Sequence, residues 1–160
     1  MIHPTAQKVA DAARQLGLNI TIKEFQASTR TAGDAANAIG CTVGQIVKSL
    51  LFVVDGQPII ALISGDNRLD EKKLAALRNV GRKKVKRADA ETARQATGFA
   101  IGGVPPFGHN NQLPTYIDED FKQFDIIWAA AGTPNAVFPI TPADLIQVTQ
   151  GVVVDLKIDK

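Results

Sequence analysis

The sequence predicts a single α/β domain (of α+β type) built on a mixed β-sheet, and three observations support this prediction. Short apolar runs of strand length are interleaved with amphipathic helical segments in no strict repeat. The chain has 160 residues, 45% hydrophobic and 21% charged, which is enough for one domain with its own core. No linker, internal repeat or low-complexity segment divides the chain, so residues 1–160 are expected to form one domain.

Helices are predicted where a capping residue precedes an apolar stripe of helical period. Pro4 suits the first position of a helix that Gly17 ends, and Thr141 before Pro142 is a strong N-cap. Thr31 opens a short helix that ends near Gly40. The predicted helices cover residues 4–16, 31–40, 70–78, 89–98 and 141–146, with one further helical turn over 42–47.

Strands are predicted from apolar alternation and from short apolar runs bounded by turn residues. The sequence Asp55-Gly56-Gln57-Pro58 predicts a turn between two paired strands. The predicted strands cover residues 19–25, 48–54, 59–63, a short segment around Val85, 113–118, 125–130, 135–140 and 152–158.

Composition argues against several classes of protein. The single cysteine, Cys41, excludes an internal disulfide framework and fits a reducing cytosol. The longest apolar run, Leu50–Val54, is only strand-sized, so no membrane association and a cytoplasmic location are expected. The two histidines and the cysteine lack zinc spacing, and no serine lies on a nucleophile elbow. The sequence therefore predicts no metal, no cofactor and no covalent catalysis.

The stretch from Gly98 to Asn111 contains four glycines and two prolines, so it cannot continue as a regular helix or central strand. Its apolar residues fit two interpretations, a wall of a small-ligand pocket or a tight buried crossover. Gly103 to Gly108 has the glycine spacing of a P-loop, but His109-Asn110 replaces the required Lys-Ser/Thr. The remaining amides can hold a small polar group.

Lys48 is the second candidate feature. In a strand that begins there, Lys48 shares a face with Leu50, Phe52 and Val54, which is expected to be a core face. An ammonium at the end of such a face either extends outward to solvent or occupies a pocket. In a pocket its pKa would fall, and as a cation it could stabilise a developing oxyanion. A purely structural lysine is the competing interpretation.

Three segments in order resemble the YbaK/ProX family of aminoacyl-tRNA deacylases, which is related to the editing insertion domain of bacterial prolyl-tRNA synthetase. The segment 45–50, which contains Lys48, is similar to the family's lysine segment. The segment 97–108 is similar to its GxxxP loop, with Gly102 and Pro106 as anchors, and 113–118 is similar to the strand that follows. The resemblance covers nearly the whole chain.

The resemblance implies a mixed, partly closed sheet with flanking helices, and hydrolysis of the ester that joins a wrong amino acid to tRNA, most often tRNA for proline. Lys48 would then position and polarise the ester. Loop amides at Gly102 and Gly103 would hold the aminoacyl group. Phe25 would line the pocket and Ser49 would supply a hydroxyl. The full set of implied substrate-binding residues is Phe25, Ser49, Gly102, Gly103, Val104, Pro105, Pro106, Phe107, Gly108 and His109.

The implied partners are a mischarged tRNA and, as a candidate, an aminoacyl-tRNA synthetase. The net charge of +2 does not by itself indicate a nucleic-acid binder, but the segment 82–87 is strongly basic. Its basic residues could contact tRNA phosphates or could form a solvated edge that discourages strand pairing. These residues are Arg82, Lys83, Lys84, Lys86 and Arg87.

One departure from the family bears on the substrate. Cysteine-specific members carry an aspartate after a small-residue glycine segment, and the corresponding segment here, 132–137, offers none at that place. This favours a branch that acts on Ala, Ser, Thr or a similar small residue, within a group that also includes Cys. Two alternatives stay open, a non-catalytic tRNA- or synthetase-binding module with the same fold and a hydrolase of small esters or amides.

Overall fold

Five α-helices and eight strands are found in the computed structural model, which describes residues 2–26 and 31–159. The helices are α1 (Pro4–Gln15), α2 (Ala32–Ile39), α3 (Glu71–Leu77), α4 (Ala90–Thr97) and α5 (Pro142–Thr149). The strands are β1 (Lys23–Glu24), β2 (Val47–Val54), β3 (Gln57–Ser64), β4 (Val85–Arg87), β5 (Thr115–Asp118), β6 (Ile127–Ala130), β7 (Ala136–Ile140) and β8 (Val152–Val154).

The strands divide between a five-stranded mixed sheet and a three-stranded antiparallel sheet. The larger sheet has the order β4-β2-β3-β5-β8, in which β2 runs antiparallel to both neighbours and β5 runs parallel to β3 and β8. The smaller sheet has the order β1-β7-β6. A parallel bridge between Ile46 and Trp128 connects the two sheets. The mixed-sheet α/β fold predicted from the sequence is confirmed, with the strands shared between two sheets.

The helices begin where side-chain caps were predicted. The Thr31 and Thr141 hydroxyls accept from the amides of Asp34 and Asp144, and Asp70 and Asp89 cap α3 and α4 in the same way. Such a cap satisfies one of the amides that a helix start leaves without an internal partner. Short-range chemistry therefore accounts for where these four helices begin.

Two predicted strands are much shorter than their alternation suggested. The segment 19–25 pairs with β7 only at Lys23 and Glu24, while Ile20 and Ile22 pack against the core without a strand partner. The segment 152–158 is a strand only over 152–154, because its parallel neighbour β5 ends at Asp118. Beyond that point the chain still buries Leu156 completely. The alternation of apolar and polar residues thus predicted burial correctly, but it did not predict how many residues pair with a neighbouring strand.

Both faces of the five-stranded sheet are covered by apolar cores, and β2 contributes to each. Val47 and Leu51 belong to the core that includes α1 and residues of the stretch 98–111, here called the glycine–proline loop. Phe52 and Val54, on the opposite face, pack with residues of α3. The predicted core face of β2, on which Lys48 also lies, is therefore the α3 face.

Candidate active site

A cavity of about 720 Å3, here called the edge cavity, lies beside the first half of β2. Strand β4 pairs with β2 only at residues 52–54, and the amide of Ala88 donates to the carbonyl of Leu51. Within the described part of the chain, no strand is paired with this side of β2 over residues 47–50, although β6 approaches the start of β2 through the bridge between Ile46 and Trp128. The other walls come from α2, β6, β7 and residues 101–104. An uncovered strand edge with polar backbone thus faces a ligand-sized space.

Lys48 lies at the edge cavity and is half-buried. Its Nζ donates to the backbone carbonyl of Asn67 at 2.6 Å. An ammonium has three N–H groups, so two remain for a ligand. Of the two positions considered for this side chain, the structure shows the one in a pocket and not the one extended into solvent.

The charges around Lys48 favour a weakly held proton. Burial lowers the pKa of Lys48 below its ordinary value, and the positive charge of Arg87 lowers it further. Smaller effects follow from Asp118, which raises this pKa, and then from Arg68 and Asp66, which lower and raise it. Lys48 therefore holds its proton less firmly than an exposed lysine does, and a developing negative charge beside it would stabilise its ammonium form.

Ser49 also lines the edge cavity. Its Oγ is buried and has no hydrogen-bond partner among the residues that the structure describes. The register of β2 against β3 determines the direction of the Ser49 backbone groups. Gly65 donates to the carbonyl of Ile46, and alternate residues of an antiparallel strand bond to opposite sides. The amide and carbonyl of Ser49 thus point away from β3, toward the uncovered edge. Residue 49 offers a hydroxyl and a backbone donor at one place.

The glycine–proline loop contributes only its first part to this cavity. Gly102 and Val104 line it. Gly103 is buried, donates its amide to Ala100 at 3.1 Å and accepts from the amide of Gly132 at 2.8 Å. A Cβ at position 103 would lie 2.7 Å from the backbone of Gly132. Gly103 is required for close backbone approach, and its amide is already in use.

The second part of the loop lines a separate cavity of about 340 Å3. Pro106, Phe107, Gly108 and His109 contribute to it, together with the end of α1. His109 donates its Nε2–H to the carbonyl of Pro105 at 2.6 Å, and burial lowers the pKa of His109. The structure therefore does not bring these residues together with Lys48, although all of them were expected to bind one substrate.

Phe25 and Pro105 line neither of these two cavities. The amide of Phe25 donates to the carbonyl of Asn135, and its carbonyl accepts from the Asn135 side chain at 2.7 Å. Phe25 thus fixes the start of β7 to the segment after β1. Pro105 is buried.

The basic segment 82–87 forms a 3-10 turn followed by β4, an edge strand of the larger sheet. Only Arg87 of this segment lines the edge cavity, with its guanidinium 5.7 Å from the centroid of the Phe52 ring. Arg82 makes an ion pair with Glu71 at 3.0 Å. The remaining basic side chains are exposed and are those of Lys83, Lys84 and Lys86. The geometry fits both interpretations of the segment, a phosphate-binding surface and a charged strand edge.

Several lining residues were not found from the sequence. Ala32 and Ala35 form one face of α2, and Gly65 lies beneath them, where a Cβ would overlap the carbonyl of Val43. Trp128 supplies the aromatic wall, with the Lys23 ammonium 5.1 Å from its ring centroid. Small residues three apart on a helix were the only local signal, and small residues are also common in ordinary helix packing.

The described residues offer neither a metal site nor a membrane-spanning helix. No group of three or more His, Cys, Asp or Glu side chains there is arranged to hold a metal ion. Among the helices that the structure describes, none has both the length and the apolar character needed to cross a membrane.

Comparison with known proteins identifies the family. A family model described as an aminoacyl-tRNA editing domain matches residues 26–148. EbsC of Enterococcus faecalis, provisionally named a Cys-tRNA(Pro)/Cys-tRNA(Cys) deacylase, is 33% identical over 122 residues, which cover 76% of this chain and 73% of EbsC. The proline–tRNA ligase of Elusimicrobium minutum is 33% identical over 132 residues, which cover 80% of this chain but only 22% of the ligase.

Among solved structures, one described provisionally as a trans-editing enzyme for prolyl-tRNA synthetase superposes with a TM-score of 0.94 and 46% identity. The superposition covers 99% of this chain and 100% of that one. The chain therefore belongs to the aminoacyl-tRNA editing domain family, as its resemblance to YbaK/ProX proteins predicted.

Proposed function

We propose that this chain is a free-standing deacylase that hydrolyses the ester of a mischarged tRNA. The expected substrate is tRNA for proline that carries a small residue such as Ala, Ser, Thr or Cys. The observation that carries this proposal is the edge cavity, where Lys48, Ser49 and Gly102 line one space in an editing-family domain.

The reaction asks little of the protein beyond positioning and charge stabilisation. An aminoacyl ester is already activated, and attack by water on its carbonyl places negative charge on the carbonyl oxygen. The two free N–H groups of the Lys48 ammonium and the backbone amide of Ser49 are the donors at the uncovered edge of β2 that can stabilise this charge. The neighbouring ribose hydroxyl of the tRNA end can relay the proton to the leaving oxygen. The products are the free amino acid and tRNA.

Selection for small amino acids would follow from the walls of the cavity. Ala32, Ala35, Val104, Ala129 and Val137 present short apolar side chains. The bulkier lining residues Ile46, Leu50 and Trp128 limit the space beside them, so the cavity would admit a small side chain and exclude a large one, as the second sieve of an editing pair does. A substrate that hydrogen-bonds to the Ser49 hydroxyl would also relieve the cost of its burial.

The tRNA would be held by charge outside the cavity. Arg87 lies at the cavity lining, and the exposed basic side chains of the same segment continue from it. Contacts of this kind with phosphates make binding fall as salt rises. The names of the relatives make prolyl-tRNA synthetase the candidate protein partner. A tRNA substrate is consistent with the cytoplasmic location expected from the sequence.

A panel of mischarged tRNAs tests the proposal. Tritiated Ala, Ser, Thr and Cys esters of tRNA for proline are incubated with the wild type, with Lys48→Ala and with Lys72→Ala, whose lysine is exposed on α3. We expect at least one ester to be hydrolysed by the wild type and by Lys72→Ala, and roughly 100-fold more slowly by Lys48→Ala. Binding without turnover would instead support the non-catalytic module. Turnover of simple amino-acid esters without regard to tRNA would support the small-ester hydrolase.

A further inference from the structure

The loop that follows β3 determines where the Lys48 ammonium lies. Lys48 is fixed in its strand by pairing with Ile63, but a lysine side chain is long and flexible, so pairing alone does not place its charge. The carbonyl of Asn67, 2.6 Å from Nζ, supplies the hydrogen bond that does. The position of the ammonium therefore depends on how firmly Asn67 is held.

Asn67 is held at three further points. Its backbone amide donates to the carbonyl of Ser64 at 2.9 Å, which closes a tight turn. Its side-chain Nδ2 donates to Oδ2 of Asp118 at 2.8 Å and to Oδ2 of Asp120 at 2.9 Å. Every donor of this residue is thus used, and its backbone carbonyl faces Lys48.

The two carboxylates are themselves fixed. Asp118 is 1% exposed and also accepts from the backbone amides of Ser64, at 3.0 Å, and of Asp120, at 2.9 Å. Asp120 accepts from Lys157 Nζ at 2.8 Å, and hydrogen bonds from Lys157 and Asn67 lower the pKa of Asp120. Oδ2 of Asp118 and Oδ2 of Asp120 both accept a hydrogen bond here, so the group between them must donate twice and carry no negative charge. A short amide side chain meets both requirements.

We propose that Asn67 is a positioning residue for the proposed deacylation. Locked between Asp118 and Asp120, it presents its carbonyl to Lys48 and thereby directs the two remaining ammonium N–H groups into the edge cavity. The kinetic consequence of this inference rests on the proposed function. The hold of Asn67 on Lys48, here called the clamp, is a property of the protein without substrate.

The first test is kinetic and uses Asn67→Ala. Asp118 keeps two amide partners and Asp120 keeps Lys157 in this variant, so the fold is expected to persist, which thermal unfolding checks. On the best mischarged tRNA we expect kcat to fall roughly 10- to 100-fold while KM stays within about twofold. Asn67→Ser, which keeps one donor, should fall in between. The control is Asn111→Ala, which removes an exposed amide that donates to Ala96 at 3.1 Å.

The second test measures the clamp without substrate. The wild type and both alanine variants are acetylated briefly with N-hydroxysuccinimidyl acetate, and acetylation of each lysine is quantified by mass spectrometry. Release from the carbonyl makes the Lys48 amine both more accessible and more easily deprotonated, so several-fold faster acetylation of Lys48 is expected in Asn67→Ala. Acetylation of the other lysines, and of Lys48 in Asn111→Ala, should match the wild type.

The two tests separate the inference from the proposed function. Unchanged acetylation of Lys48 in Asn67→Ala would overturn the clamp, and so would a rise in KM with kcat unaltered. A wild type that hydrolyses no aminoacyl-tRNA would overturn the proposed function and the kinetic role of Asn67. In that case the acetylation result alone still decides whether Asn67 holds Lys48.

Discussion

Substitution of Gly103 by alanine tests how the glycine–proline loop is docked. A Cβ at this position would lie 2.7 Å from the carbonyl carbon and oxygen of Gly132 and 2.9 Å from the amide nitrogen of Thr133. An ordinary contact begins at 3.4 Å, so the two segments must separate by about 0.7 Å, the difference between 3.4 and 2.7. All three atoms belong to backbone, so a side-chain rotation cannot relieve the overlap.

The separation has an energetic cost that can be worked out. The hydrogen bond from the Gly132 amide to the Gly103 carbonyl, now 2.8 Å long, would lengthen beyond normal geometry. Overpacking costs about 1–3 kcal/mol and the lost hydrogen bond about 1 kcal/mol, so Gly103→Ala should lower the free energy of unfolding by about 2–4 kcal/mol. For a chain of this length the melting temperature should fall by about 10 °C.

The assay is thermal unfolding followed by circular dichroism, with Gly33→Ala as the matched control. Gly33 lies in α2 with nothing within 4 Å of the added methyl group, so the same substitution should leave stability unchanged or raise it by up to about 1 kcal/mol. If Gly103→Ala melts within about 2 °C of the wild type, the close approach of the loop to Gly132 is incorrect. The wall that Gly102 and Val104 form would then lose its support.

Three further predictions concern the two cavities and the basic segment. Ser49→Ala should leave the free energy of unfolding unchanged or raise it by up to about 1 kcal/mol, because the buried hydroxyl has no partner among the described residues. The same substitution should raise KM for the mischarged tRNA. Urea unfolding and steady-state kinetics measure the two effects. Burial holds the pKa of His109 below 6.5, so the unfolded chain takes up this proton first as the pH falls, and the stability of the wild type should drop below about pH 6.5. In melting experiments, His109→Gln should lose less stability than the wild type between about pH 7.5 and about pH 5.5. Arg87→Ala should weaken tRNA binding and reduce the slope of log K against log salt concentration by roughly one in filter-binding assays.

The local features of the fold were predictable because they depend on neighbouring residues. Thr31 and Thr141 cap helices through atoms three residues away, and the face of Lys48 follows from alternation within one strand. Whether a strand finds a partner depends on distant segments. The alternation from Asn19 to Phe25 therefore predicted burial but not the length of the pairing.

The site was predictable only in part for the same reason. Lys48, Ser49 and Gly102 were expected to bind one substrate, and the structure brings them to one cavity. Gly103 was expected to offer its amide, but its role depends on Gly132, which reaches it from the loop between β6 and β7. Asn67 gave no local signal at all, because its side chain bonds to the carboxylates of Asp118 and Asp120, which come from a different part of the chain.

The most direct test of the account asks where the aminoacyl end binds. A non-hydrolysable amide analogue of 3′-alanyl-adenosine is titrated into 15N-labelled protein, and amide chemical shifts are followed residue by residue. Binding in the edge cavity predicts shifts concentrated over residues 46–50, 101–104 and 128–130, and much weaker binding to Lys48→Met. Shifts centred instead on residues 106–113, around the second cavity, with Lys48→Met binding as tightly as the wild type, would contradict it.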